Sequence, residues 1–200
     1  MIRKASKYDI PDLVDIHMAA LPNDLLPKIG KDFLRKYFYT VVLESNHAFT
    51  IVDAEGETVR SFIIFAYNSK ALTGQVMHNK AILAKHFFLC LLRDFSLIGQ
   101  IFAHLRGFKA EIYSELDFKI KEIPELYLMA TAPKHHSKGI GSRLVSRGLE
   151  ILSEKHQYCM VKTPSRRAKK FYMKHHFHEI GLEYRQGRKF QLLLYRLHAK

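Results

Sequence analysis

Cysteine occurs only twice, at Cys90 and Cys159. No disulfide framework can therefore staple the chain, and a reducing compartment, the cytoplasm, is the expected location. The opening residues, Met-Ile-Arg-Lys-Ala-Ser, lack the apolar segment of a secretory signal. Long apolar runs are missing too. The richest stretch, 81–105, is broken by Lys85, His86, Arg93, Asp94 and His104, whereas a spanning helix needs about 20 predominantly apolar residues. That stretch is expected to face the core or to lie along a surface. Internal repeats, low-complexity tracts and an interdomain linker are also absent. Acidic residues are outnumbered, 19 against 32 Lys and Arg, which leaves a net charge of +13. The surplus favours anionic partners: a phosphorylated cofactor, nucleic acid or a membrane surface. No nucleic-acid-binding module accompanies the charge, so nucleic acid is disfavoured.

What is present centres on Glu125 to Gly148. Glu125-Leu-Tyr-Leu-Met-Ala-Thr131 reads as a strand, Pro133 signals a turn, and a helix opens on Gly139-Ile140-Gly141. Two glycines let the backbone approach a ligand closely. The first amides of a helix lack intrahelical partners and sit at its positive dipole end, an arrangement that binds phosphate. Two families of phosphate site fail on the spacing. The dinucleotide fingerprint needs a third glycine where Leu144 stands, and no Gly-x4-Gly-Lys-Ser/Thr occurs.

The remaining pattern, His136-Ser137-Lys138-Gly139-Ile140-Gly141, resembles the acetyl-CoA signature Gln/Arg-x-x-Gly-x-Gly/Ala of the GNAT acetyltransferase superfamily. His136 stands at the Gln/Arg position and can donate a hydrogen bond as the right tautomer or as a cation. A second segment agrees. Ser165-Arg-Arg-Ala168-Lys-Lys-Phe171-Tyr172-Met-Lys174-His-His176-Phe177 is similar to the late segment Asn-x-x-Ala-x-x-(Phe/Leu)-Tyr-x-Lys-x-Gly-Phe, with Ser165 for Asn and His176 for Gly. The resemblance is specific over 125–178 and looser over 1–67.

The remaining elements follow from periodicity and punctuation. A first strand covers 2–5. Ser6-Lys7-Tyr8-Asp9 forms a capping box, with Asp9 in place of Glu, ahead of a helix over 9–20. Residues 22–30, with two prolines and a glycine, read as an irregular loop. A helix over 31–43 carries Phe33, Leu34, Tyr37, Phe38 and Val41 on one face. Strands over 47–53 and 58–67 meet at a hairpin, and their continuous apolar runs suggest a sheet covered on both faces. Helical patterns appear over 81–93 and 95–105, while 111–120 is ambiguous. Beyond the glycine turn come a helix to about His156, a strand over 158–162, a helix over 164–175, and a hairpin of 177–184 with 189–197. The resemblance implies an α/β (mixed α+β) GNAT fold. Its central mixed twisted sheet has about seven strands flanked by helices. Residues 1–200 would form one N-acetyltransferase domain, with 68–123 as a helical insertion before the central strand.

Transfer of an acyl group from a thioester to an amine needs deprotonation of the amine, stabilisation of developing oxyanion charge and protonation of the thiolate. By resemblance, the backbone of Met129, Ala130 and Thr131 pairs with the pantetheine arm of acetyl-CoA and polarises the thioester carbonyl. His136, Ser137, Lys138, Gly139, Ile140, Gly141 and Ser142 hold the pyrophosphate, and Ser165 joins the cofactor-binding set. Tyr172 stands at the general-acid position, where a phenol of pKa about 10 is protonated at neutral pH. The alternative for Tyr172 is a ring packed on the core face of its helix, like Phe171. Glu125 is the candidate base, direct or through a water, with Tyr127 on the same face. The alternative is a solvated carboxylate at the strand end. Lys162, Arg166, Arg167, Lys169, Lys170 and Lys174 surround the cofactor end, where one or two would meet the 3′-phosphate and the rest form a solvated face. His135, His136, His175, His176 and His178 lack the spacing and the partners of a zinc set, so no metal is expected. Cys90 and Cys159 are read as buried thiols rather than nucleophiles.

Three readings result. One is an acetyl-CoA-dependent N-acetyltransferase acting by direct attack in a ternary complex on a primary amine, such as an amino sugar, a small metabolite or a protein amine. Another is a non-catalytic acyl-CoA-binding module of the same fold. The third, compatible with both, is peripheral membrane contact through 81–105.

Overall fold

A computed structural model describes residues 1–93, 109–112, 122–185 and 188–197. Eight strands form one sheet in the order β1-β2-β3-β5-β6-β8-β7-β4. They are β1 (Ile2–Lys4), β2 (Ala48–Glu55), β3 (Thr58–Ala66), β4 (Lys109–Ile112), β5 (Glu125–Thr131), β6 (Tyr158–Thr163), β7 (His178–Arg185) and β8 (Arg188–Arg196). Seven of these are the strands read from the sequence. The eighth, β4, lies in the long segment ahead of β5 and pairs antiparallel with β7 at the sheet edge. Within 68–123 the described residues thus include a strand as well as the helices α5 (Ser69–Val76) and α6 (Lys80–Arg93). The helical reading of 95–105 lies outside the described residues.

The first helix, α1 (Ile10–Ala20), follows a short 3-10 turn. Asp9 reaches back as the capping pattern requires, its Oδ2 accepting the Ser6 amide at 2.7 Å and the Ser6 hydroxyl at 2.9 Å. Arg3 also donates to Asp9, and this guanidinium holds the carboxyl below its ordinary range. The loop expected over 22–30 contains a short helix, α2 (Leu25–Ile29), which Pro27 and Ile29 bury against the core. Helices α3 (Lys31–Phe33) and α4 (Tyr39–Glu44) are joined through a π-helical stretch, Leu34–Phe38. The wide π turn inserts one residue into the helical register. As a result Tyr39 and Val42 are fully covered, and Val41, expected inside, is only partly so.

One face of the sheet, here the front, packs against α1, α3 and α4. Leu13, Val14, Phe33, Leu34 and Phe38 meet Val52, Phe62, Ile64 and Ala130 there. The back face packs against α7 (Ile140–Ser153) and α8 (Arg166–Lys174), where Leu144, Val145, Leu152 and Tyr172 meet Ile63, Phe65, Leu126 and Val161. Gly148 lets α7 approach closely: a Cβ built there would lie 2.0 Å from Phe65 Cε2. On the front, α6 turns Leu83 and Cys90 inward, and Phe87 packs against the same core. Among the described residues no helix is long and apolar enough to cross a membrane.

Candidate active site

β5 and β6 run parallel but pair only at Glu125–Met160 and Leu126–Val161. Beyond Leu126, β5 keeps β3 on one side, through Leu128–Ile64 to Thr131–Ser61, while β6 continues beside β8. The two strands therefore part in mid-sheet and leave a cleft. A bulge between Ile64 and Phe65 in the β3–β5 register brings both Tyr127 and Leu128 to the front-face core. Leu126 and Met129 face the back.

The wide end of the cleft is closed by the glycine turn. Gly139 has φ +71°, a left-handed conformation that glycine adopts at little cost, and Ser137 sits at φ +61°. Helix α7 has no side-chain cap at its start. Among the described residues the amides of Gly139, Ile140, Gly141 and Ser142 have no backbone partner. Four donors thus stand at the positive end of a 14-residue helix. A phosphate group fits this set of donors. A Cβ at Gly141 would lie 3.5 Å from Met129 Cε and 3.6 Å from Phe171 Cζ, both ordinary contacts.

Two side chains expected at the cofactor serve the protein backbone. His136 Nε2 donates to the Thr131 carbonyl at 2.9 Å, tying the turn to the end of β5. Ser165 Oγ accepts the Ala168 amide at 3.2 Å and caps α8. The Ser142 hydroxyl lies 3.0 Å from His175 Nε2, which joins the start of α7 to the end of α8. Thr131 Oγ1 lies 2.7 Å from Ser61 Oγ. Lys138 is exposed, and its carbonyl accepts from Arg143 Nη1 at 3.3 Å. The other arm of Arg143 reaches Asp53 Oδ2 at 3.6 Å, and Asp53, buried in β2, also binds Arg60. The sequence reading overlooked this Asp53-Arg60-Arg143 brace. His135 on the same turn is held below its ordinary pKa, first by desolvation and then by Lys138, Lys134 and Arg60. The surroundings of the turn are cationic.

At the narrow end Glu125 is only 8% exposed. The solvated carboxylate considered from sequence is not what the fold makes. Its partner is Lys162, Nζ to Oε2 at 3.3 Å, and Lys162 also lies 3.6 Å from Glu183 Oε2 on β7. Lys162 therefore does not join the basic group at the cofactor end, and Lys169 of that group is paired with Glu179 at 2.6 Å. Glu183 was not singled out from sequence. The available signal was a charge inside an apolar strand, as in Ile180-Gly-Leu-Glu183 and Met160-Val-Lys162. Tyr127 shares the front face with Glu125, its hydroxyl 3.4 Å from Thr73 Oγ1.

Tyr172 lies in the back-face core, its ring 5.3 Å from that of Phe171 and 5.6 Å from that of Phe177. Burial, with a smaller contribution from Cys159, pushes its phenol well above its ordinary pKa. Burial likewise raises the Cys159 thiol, and Cys90 donates to the Lys28 carbonyl at 3.2 Å. Both cysteines are buried thiols, and neither is in a disulfide. Among the described residues no group of three or more His, Cys, Asp or Glu could hold a metal ion.

Residues 84–179 match the family described as the acetyltransferase (GNAT) domain. That match takes in β5, the glycine turn and α8. Solved GNAT-type structures share the fold over nearly the whole chain. The ribosomal-protein-S18-alanine N-acetyltransferase of Escherichia coli has 11% identity and a TM-score of 0.59, covering 100% of this chain and 95% of that one. The ribosomal-protein-alanine N-acetyltransferase of Brucella melitensis has 15% identity and a TM-score of 0.59, with 98% and 99% covered. An N-acetyltransferase of Staphylococcus aureus Mu50 has 15% identity and a TM-score of 0.57, with 99% and 98% covered. At such identities the likeness establishes the fold, not the acceptor. No curated protein shows significant sequence similarity to the chain.

Proposed function

We propose that the protein is an acetyl-CoA-dependent N-acetyltransferase and that residues 1–200 form one catalytic domain with 68–123 as an insertion. The carrying observation is the cleft between β5 and β6, with unpartnered amides at its wide end and buried Glu125 at its narrow end. Bound acetyl-CoA supplies the activated acyl group. The amides of Ser137 to Ser142 hold its pyrophosphate, and His136 and Ser165 fix the turn and the start of α8 that frame it. The backbone of Met129, Ala130 and Thr131 pairs with the pantetheine arm and polarises the thioester carbonyl. Glu125 accepts the proton of the primary amine, directly or through a water, and the amine attacks within the ternary complex. Tyr172 donates to the departing thiolate, and its raised pKa keeps it protonated throughout the neutral range.

The depth of Tyr172 in the core favours a second reading, a module that binds acyl-CoA without turning it over. Calorimetry with acetyl-CoA on the wild type and on Gly139→Glu, followed by thiol-release assays across amines, separates the two. Micromolar binding that the variant loses, together with amine-dependent thiol release, supports the enzyme. Binding without release for any amine supports the module, and no binding by folded wild type overturns both.

A further inference from the structure

We infer that Lys162 and Glu183 are positioning residues for Glu125: together they let a buried carboxylate take up and release a proton without leaving a lone charge in the protein interior. The inference rests on the reading of Glu125 as the base. Three strands supply the three groups. Lys162 Nζ stands 3.3 Å from Glu125 Oε2 and 3.6 Å from Glu183 Oε2. The side chains of Lys162, Glu125 and Glu183 are 16%, 11% and 4% exposed. Lys162 directly follows Val161, the last residue of β6 paired with β5, so the cation sits where the strands part.

Each partner has a distinct effect. A cation in contact favours the ionised form of a carboxylate and burial opposes it, so Lys162 works against the desolvation of Glu125. A base held too tightly by a cation loses its proton affinity, and catalysis is most efficient when that affinity matches the working pH. Glu183 counters this by sharing the same ammonium and by its own negative charge. Proton transfer makes its role plainer. When Glu125 is protonated, Lys162 would become an unpaired buried cation, a costly state. Glu183 stays beside it, so Lys162 keeps a carboxylate partner in both protonation states of Glu125. The Cys159 thiol on β6 also feels the Glu125 charge, and Tyr127 lies two residues further along β5.

The test follows the Glu125 carboxyl by NMR titration of protein labelled with 13C at the glutamate side-chain carboxyl carbon, its signal assigned with Glu125→Gln. Lys162→Met should move the Glu125 midpoint up by about one pH unit, and Glu183→Gln should move it down by about the same amount. Glu183→Gln keeps the cation in place, so it serves if Lys162→Met does not fold. Opposite shifts support the inference. A Glu125 midpoint unmoved in folded Glu183→Gln, or moved upward, overturns it. Acetyl-CoA calorimetry on the same samples keeps the two readings apart, because loss of cofactor binding in the wild type sinks the proposed function whatever the carboxyl does. Once an acceptor is found, the acid limb of the kcat/KM profile should shift in the same directions.

Discussion

The two ends of the cleft are built in different ways. The glycine turn is made of backbone, contiguous in sequence, and open to solvent. Its donors are set by φ angles and by unpartnered amides at Gly139 to Ser142. The Glu125-Lys162-Glu183 cluster is made of side chains from three strands and is nearly closed to solvent. Open backbone can lose its ligand without losing the fold, whereas a buried charge cluster is coupled to folding at every member. Binding and stability should therefore separate between the ends.

The largest effect is expected at the buried end. Lys162→Met leaves two carboxylates without their shared cation and should cost about 3 kcal/mol of stability at neutral pH. Urea unfolding at pH 7 and near pH 4 checks the sign. The deficit comes from ionised carboxylates, so it should shrink as the pH falls and they take up protons. A deficit that persists in acid would attribute it to lost packing of the lysine stem. Acetyl-CoA affinity should stay within about threefold of wild type, because the turn is untouched.

Gly139→Glu should do the reverse. A side chain at φ +71° costs about 1 kcal/mol in stability. The carboxylate placed among the unpartnered amides should weaken acetyl-CoA by about a hundredfold, equivalent to about 2.7 kcal/mol. Calorimetry alongside thermal unfolding tests this. A variant that binds normally would remove the turn from the cofactor site.

This contrast also explains what the sequence disclosed. The turn was legible because its chemistry is local: Pro133, Gly139 and Gly141 fix it within nine residues. The strands and the late helices were legible for the same reason, through alternation and helical repeat. Glu125 was visible as a candidate, but its burial and its lysine were not, because Lys162 and Glu183 reach it only through the order in which β6, β8 and β7 are laid down. The π turn in Leu34–Phe38 and the edge strand Lys109–Ile112 escaped for a related reason. Neither leaves a periodic mark, since the first breaks the helical period and the second is four residues long.

Smaller effects distinguish glycines that look alike in sequence. Gly148→Ala would push a methyl to 2.0 Å from Phe65 Cε2 and should cost about 2 kcal/mol by overpacking. Gly141→Ala meets Met129 at 3.5 Å and should stay within about 0.5 kcal/mol. Equal losses at the two sites would mean that α7 is free to shift away from the sheet.

The smallest effect has the opposite sign. His176 occupies the position of the glycine in the family pattern, and its φ of +62° shows why a glycine belongs there: it follows α8 in the left-handed conformation that ends many helices. Its side chain is exposed, so little packing is at stake. His176→Gly should relieve the backbone strain and stabilise the fold by about 1 kcal/mol. For a domain of this size that is a rise of about 2–4 °C in Tm. Acetyl-CoA affinity should not change, since the strain is stored in the connection between α8 and β7 and not in the glycine turn. A Tm that falls instead would mean that the imidazole holds this connection more strongly than the backbone resists it.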